Sequence, residues 1–458
     1  MRLRALGRQA STLRVLIACL SACVLSVGEV ALAADTGADT IVTRTLDNGM
    51  KIIVWPDHDI PNVALYNYVR AGARNEVPGI TGLSHFFEHM MFNGTTSSAP
   101  GEFDRTMEAN GGSNNAYTST DLTVYQDWFP GSALEVIFQL EADRLANLSF
   151  DPKVVESERG VVTSERRSSV DNSNFGLLYE QIKATAFAAH PYQIPVIGWP
   201  SDIASWSIDD LRNYFTTYYA PNNCTLVIVG DVQPDAVFAM AERYLASISA
   251  QEPPPQVRTV EPEQIGERRL VLERSVQNPL VGVAYKSPPA AAEEGPALDL
   301  LASVLTDGES SRLYRALVET GVALNIDTFR QEGFDPGLMW FFMTLPQGSD
   351  TRAAEEVLYN ELARIVRDGI TDAELARAKR LSLAGFWRGL ATINGKAAAL
   401  GNFEVFHGDY AKLFAAPDQY AAIEAAAVQQ AAAAIFDARR RTVGAVVAPA
   451  PSATQEQP

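Results

Sequence analysis

The sequence predicts an α+β protein built of two similar α/β sandwich units, each a mainly antiparallel sheet packed with helices. Three observations carry that expectation. At 458 residues the chain is too long for one ordinary hydrophobic core. A proline- and glutamate-rich stretch, QEPPPQVRTVEPEQIG, divides it near 251–266. On either side of that stretch, strand-like and helix-like runs follow in a similar order over about 200 residues, a usual domain size.

The first 33 residues read as an export leader. Arg2, Arg4, Arg8 and Arg14 form a positive start, an apolar run begins at Val15, and Ala31-Leu32-Ala33 fits a small-residue cleavage site. The run is short for a membrane span and is interrupted by Glu29. The expected location is therefore a bacterial periplasm or the exterior, with cleavage after Ala33. Leu20-Ser21-Ala22-Cys23 also resembles a lipidation box, but further apolar sequence follows Cys23 where a polar tether is usual. Removing residues 1–33 takes away four arginines and one glutamate, moving the net charge from −18 to −21. So acidic a chain argues against a nucleic-acid partner, which would want a basic face, and disfavours docking on anionic lipid. It also leaves Cys224 as the one cysteine, inside the apolar run CTLVIVGDV, so a cysteine-rich zinc site is excluded.

In the first unit, 34–250, TRTLDNGMKIIVWPD reads as strand, Asn-Gly turn, strand, and ALYNYVRAG as a further strand. Helical periodicity follows around 81–92, 101–110, 131–147 and 151–169. The unit closes with the strand CTLVIVGDV and a helix from Pro234. After the linker at 251–266, the second unit, 267–447, begins with the strands RRLVLERS and PLVGVAYKSP. Helices are expected around 296–305, 310–319, 351–367, 372–388 and 416–437, with a strand-rich region through GLMWFFMTL. Residues 448–458 are expected to be a disordered tail.

The chemistry concentrates in HFFEHMMF, His85 to Phe92. On a helix, positions i and i+4 share a face, so His85 and His89 present both imidazoles to one side. Zinc favours such nitrogen ligands. Glu88 lies near the same face, where it can take a proton from water beside a metal without being a ligand. The order His-x-x-Glu-His is itself a zinc-protease signature. Two of the five histidines fall in this one turn; His58, His190 and His407 sit in contexts that favour surface or packing roles. A third ligand is needed, and KVVESERGVVTSERRSS offers Glu156, Glu158 and Glu165. Glu158 and Glu165 are seven apart and share a helix face, so one can bind an ion while the other orients a ligand. Residue chemistry alone leaves open which does which.

With these motifs the chain resembles the pitrilysin/insulin-degrading-enzyme family of inverted-motif zinc peptidases. It looks closest to the half-length branch that includes the mitochondrial processing peptidase. In that family the third ligand follows the second histidine by 76 positions, which lands on Glu165, and an accessory glutamate seven earlier lands on Glu158. The resemblance thus implies one Zn2+ per chain held by His85, His89 and Glu165, Glu88 as general base, and Glu158 behind a ligand. It implies a clamshell-type dimer, and an edge strand in GGSNNAYTSTDLTVY that takes a peptide substrate by strand addition at Asn115 and Ala116. One feature departs from the family. Active members carry an arginine and a tyrosine seven apart in the second unit, where this chain has Leu317, Val318 and Leu324. Two arrangements follow: a heterodimer whose other half-length subunit supplies the pair, or a homodimer in which Arg312 or Tyr314 substitutes. The expected function is an exported zinc endopeptidase acting on peptides or unfolded segments, with a non-catalytic binding or assembly subunit as the alternative. A purely structural zinc is disfavoured because three protein ligands leave a fourth position open.

Overall fold

The computed structural model describes residues 38–449. The leader expected at 1–33, its cleavage position, Cys23 and most of the expected tail lie outside the described residues.

The first half opens with β1 (Val42–Thr45) and β2 (Lys51–Pro56), joined through Asn48-Gly49, where Gly49 adopts φ 86°. After β3 (Asn62–Val69) come helices α1 (Leu83–Met90) and α2 (Glu102–Ala109), then the hairpin of β4 (Ser113–Thr118) and β5 (Thr123–Pro130). Helices α3 (Leu134–Asn147), α4 (Pro152–Arg166), α5 (Asn174–Ala186), α6 (Pro200–Ser205) and α7 (Ile208–Tyr218) follow. The half ends with β6 (Cys224–Gly230) and α8 (Pro234–Tyr244). Residues 249–265 have no regular structure.

The second half runs through β7 (Arg268–Glu273), β8 (Leu280–Ser287), α9 (Gly295–Thr306), β9 (Asn325–Arg330) and β10 (Gly337–Thr344). Helices α10 (Thr351–Asp368), α11 (Asp372–Gly389), α12 (Ile393–His407), α13 (Lys412–Ala422) and α14 (Ala425–Ile435) precede β11 (Arg441–Val447). Two readings are refined here. The run at 416–437 is broken at Ile423-Glu424 into α13 and α14, and the run at 310–319 is helical over 312–318, wound mostly as a π-turn at Tyr314–Val318.

The two sheets are built alike. Their strand orders are β1-β2-β6-β3-β5-β4 and β7-β11-β8-β10-β9. In each, one pair is parallel (β2 with β6, β7 with β11) and the other pairings are antiparallel. Placing β2 on β7 superposes the orders, with β1 as an extra edge. Central strands have both faces covered, which is why β6 and β10 read as unbroken apolar runs rather than alternating ones. Cys224 at the start of β6 is buried, as its setting predicts.

The helices on the inner face of each sheet come from its own half, but the outer faces are exchanged. Helix α12 of the second half lays Ile393, Ala397, Leu400 and Val405 on Trp55, Tyr66, Tyr68 and Val229 of the first sheet. Helix α5 of the first half lays Leu178, Ile182 and Ala186 on Ala284, Trp340 and Val446 of the second. Gly282 and Gly444, directly paired across β8 and β11, make room for α5: a Cβ at either would come within 2.5 or 2.7 Å of Ile182. Each buried aliphatic side chain in such a contact contributes about 1.5–3 kcal/mol, so the exchange ties the halves together across the linker. Among the described residues, no helix is long and apolar enough to cross a membrane.

Candidate metal centre

Helix α1 is locked before any chemistry is considered. Phe86 packs against Trp206, and Phe87 stacks on Tyr214 and Phe215. Its N-terminus is held by Glu76, fully buried, whose carboxylate accepts the backbone N–H of Gly82 at 2.6 Å and of Ser84 at 2.7 Å. These are donors that a helix start leaves unsatisfied. Burial pushes the Glu76 carboxyl up to about 8, against the lowering effect of those two bonds. Gly82 enters the helix at φ 88° and crosses Gly198 so closely that a Cβ on either would lie under 3 Å from the other's chain.

On this fixed helix His85 and His89 face the same way, with ring centroids 4.8 Å apart. Helix α4 packs against α1 and brings Glu165 to both rings: Oε1 lies 3.6 Å from His85 Nε2, and Oε2 lies 3.5 Å from His89 Nε2. One donor atom from each of the three residues falls within 4.8 Å of the others. Ligands about 2.0–2.1 Å from a tetrahedral zinc sit roughly 3.3 Å apart, so the carboxylate–imidazole separations are within a few tenths of an ångström of that spacing. Two imidazoles and a carboxylate are a donor set that zinc accepts, and the half-exposed Glu165 leaves one side open. The cluster fits the ion.

Glu158, two turns before Glu165, accepts the His89 Nδ1 hydrogen at 2.7 Å, which turns Nε2 towards Glu165. His85 Nδ1 is buried and has no hydrogen-bond partner. The hydrogen bonds from the two imidazoles hold the Glu165 carboxyl well below the usual carboxylate range. For His89, burial disfavours the charged ring, but Glu158 and Glu165 outweigh it and raise its pKa to about 9. A proton therefore occupies the metal-free cluster at neutral pH, and metal must displace it. Immediately beyond Glu165 the helix widens into a π-turn at Arg167–Asp171, and Ser168 and Ser169 donate to the Glu165 carbonyl. Arg166, beside it, is pinned by the Glu180 carboxylate and the Gly198 carbonyl.

Glu88 is not among the atoms that converge. Its Oε2 accepts the Thr118 Oγ1 hydrogen at 2.6 Å, linking the helix to the end of β4. β4 is an edge strand, paired on one side with β5 through Asn115↔Gln126 and Ala116↔Tyr125. Asn115 and Ala116 line a cavity of about 370 Å³ together with Glu88, His89 and Phe92. A second cavity of about 460 Å³ opens on the other side of Glu88, bordered by His85, Glu165 and Thr118. The two meet at Glu88. Of the remaining candidates, Glu156 points outward and pairs with Arg159. His58, His190 and His407 lie against Asp231, Asp335 and Phe403 respectively. Arg312 is held by both oxygens of Glu374, while Leu317 is fully buried in the second core and Leu324 is exposed. No spacing or motif marks Thr118 or Glu76, whose partners are set by folding.

Known proteins resemble the chain in sequence and fold. Residues 53–199 match the family described as insulinase (peptidase family M16), and residues 205–382 match the peptidase M16 inactive domain. The chain is 30% identical to the zinc protease PqqE of Helicobacter pylori over 81% of its length and 82% of that protein's. It is 25% identical to an uncharacterized zinc protease, YmxG, of Bacillus subtilis, covering 81% and 89%. A crystal structure of a Helicobacter pylori protease superposes with a TM-score of 0.86 at 27% identity, over 89% of this chain and 99% of that one. The periplasmic protease PqqL of Escherichia coli shares the fold at 19% identity and a TM-score of 0.73, with 90% of this chain matching 49% of that one. With its imidazole–carboxylate cluster and these relatives, the chain belongs to the M16 (insulinase) family of zinc metallopeptidases.

Proposed function

We propose that the chain is an exported zinc endopeptidase of the inverted His-x-x-Glu-His type and the zinc-bearing member of a half-length pair. The observation that carries this reading is the convergence of His85, His89 and Glu165 beside a carboxylate, Glu88, that is not a ligand and abuts a free strand edge. His85, His89 and Glu165 would hold one zinc, and Glu158 would fix the tautomer of His89. When bound, the ion supplies Lewis acidity that makes water more acidic and a peptide carbonyl more electrophilic. An extended peptide aligns along β4 at Asn115 and Ala116 through main-chain hydrogen bonds, independent of its side chains. Thr118 occupies Glu88 Oε2, leaving Oε1 to take a proton from water and return it to the leaving amine.

The missing arginine–tyrosine pair supports a second half-length subunit like those of the mitochondrial processing peptidase, because Arg312 is already committed to Glu374. The PqqL fold, in which this architecture is half of a chain about twice as long, supports two such halves closing over a peptide. That protein's description as periplasmic agrees with the leader read at 1–33. Glu88→Gln should retain zinc and abolish cleavage by the reconstituted complex; retained turnover refutes the role. The absent pair also favours a second reading, a binding or assembly subunit without catalysis. A subunit of that kind need hold no stoichiometric zinc, so metal analysis separates the two.

A further inference from the structure

Two loops that carry no metal ligand adjoin the elements of the site. Residues 72–76 lead towards helix α1, whose start is held by Glu76. The turn Ser119–Leu122 joins β4 to β5 directly after Thr118, the residue that donates to Glu88. The loops are joined to each other: the Ala73 N–H reaches the Ser119 carbonyl at 3.3 Å, and the Arg74 N–H reaches that of Thr120 at 2.9 Å. Both are then tied to the second half. The buried Asp121 carboxylate accepts the Tyr192 hydroxyl at 2.8 Å and Arg74 Nη1 at 3.2 Å. Arg74 Nη2 bridges onward to the Asp335 carboxylate at 2.6 Å, and the Asp335 N–H donates to the Tyr192 oxygen at 3.0 Å. His190 meets the same carboxylate at 3.1 Å. Gly333 of the second half lies so close that a Cβ there would strike the Tyr192 hydroxyl and the Asp121 carboxylate. Asp335 thus closes a ring of hydrogen bonds through Arg74, Asp121 and Tyr192, all three of which belong to the first half.

We propose that Asp335 is a positioning residue for Glu88: through Arg74 and Asp121 it fixes the end of β4 against helix α1, and so holds Thr118 where it orients that carboxylate. A buried polar ring with its members paired holds a single geometry. Here that geometry is the spacing between the strand that ends in Thr118 and the helix that bears Glu88. This role rests on the peptidase reading, which gives Glu88 its chemistry. It also gives the second half, which brings no residue to the metal cluster, a part in the reaction. A clasp that only holds the halves together would lower stability without acting through Thr118.

Asp335→Ala removes the carboxylate and keeps the backbone N–H. Because that carboxylate is 33% exposed, kcat of the zinc-loaded complex should fall by about three- to thirtyfold, with KM changed by less than about twofold. In the Thr118→Val background the same substitution should change kcat by less than about twofold, since its route through Thr118 is already cut. Asp335→Asn, which keeps the shape and one acceptor, should recover part of the loss. A second readout needs no substrate: amide hydrogen exchange of the zinc-loaded chain should quicken in Asp335→Ala at 113–122 and 83–90, but not in β8 or β11. Unchanged exchange at 113–122, or kcat within twofold of wild type, overturns the positioning role and leaves the peptidase reading intact. Equal losses of kcat in both backgrounds, or exchange quickened in β8 and β11 as well, mark a general clasp and overturn it too. Quickened exchange at 113–122 and 83–90 alone, with no cleavage by the wild-type complex, supports the link from Asp335 to the site and overturns the peptidase reading. Unchanged exchange and no cleavage overturn both.

Discussion

Thr118→Val removes the hydroxyl that holds Glu88 while keeping a β-branched side chain suited to the edge strand. The lost bond is short, at 2.6 Å, and its acceptor is a carboxylate. Hydrogen bonds to charged groups are worth about 1.5–3 kcal/mol. If that energy restricts Glu88 to one orientation, its loss lowers the fraction of productive complexes by roughly ten- to 150-fold. The effect should fall on kcat, because Thr118 is not among the converging donor atoms and main-chain pairing along β4 does not use its side chain. The assay is a quenched fluorogenic peptide for kcat and KM, with zinc content measured on the same preparation. Expected are a fall in kcat within that range, KM changed by less than about threefold and zinc unchanged. A kcat within twofold of wild type refutes the claim that Thr118 sets the orientation of Glu88.

Two further outcomes are expected. Glu158→Gln weakens the acceptor on His89 Nδ1 and should lower zinc affinity by about ten- to a hundredfold in chelator competition; unchanged affinity would show that the 2.7 Å contact does not support the ligand. The second concerns pH. Burial raises the Glu76 carboxyl from the usual 4.5 of a solvated glutamate to about 8, so the folded protein holds that proton more tightly. Its stabilising contribution is full below pH 4.5 and is lost as pH rises through 8. Denaturant titrations between pH 5 and 9 should show the wild type losing stability relative to Glu76→Gln across that window; a constant difference excludes the buried proton.

Much of the site was legible in the sequence because its signals are local or rest on spacing. His85, Glu88 and His89 occupy one helical turn, and the strand–turn–strand at Asn48-Gly49 carries its own turn chemistry. The fold class followed from the repeated alternation of strand and helix, and the two sheets do share one strand order. The exchanged helices were missed for different reasons. Helix α12 begins with an Asn-Gly turn signal, and its apolar residues do not keep to one face, since it packs between the first sheet and other helices. Helix α5 follows a polar run and contains Gly176, although Leu178, Ile182 and Ala186 stand four apart, a pattern that marks a buried stripe. Thr118, Glu76 and Asp335 act through contacts between segments distant in sequence, which no spacing within one segment reveals.

The central claim is that His85, His89 and Glu165 together hold one zinc ion. Zinc should be counted by elemental analysis after loading and gel filtration, in the wild type and in Glu165→Ala, with circular dichroism showing that both are folded. The account predicts one zinc per wild-type chain and its loss from the variant. A folded wild type without stoichiometric zinc, or a variant that keeps it with undiminished affinity, would contradict it.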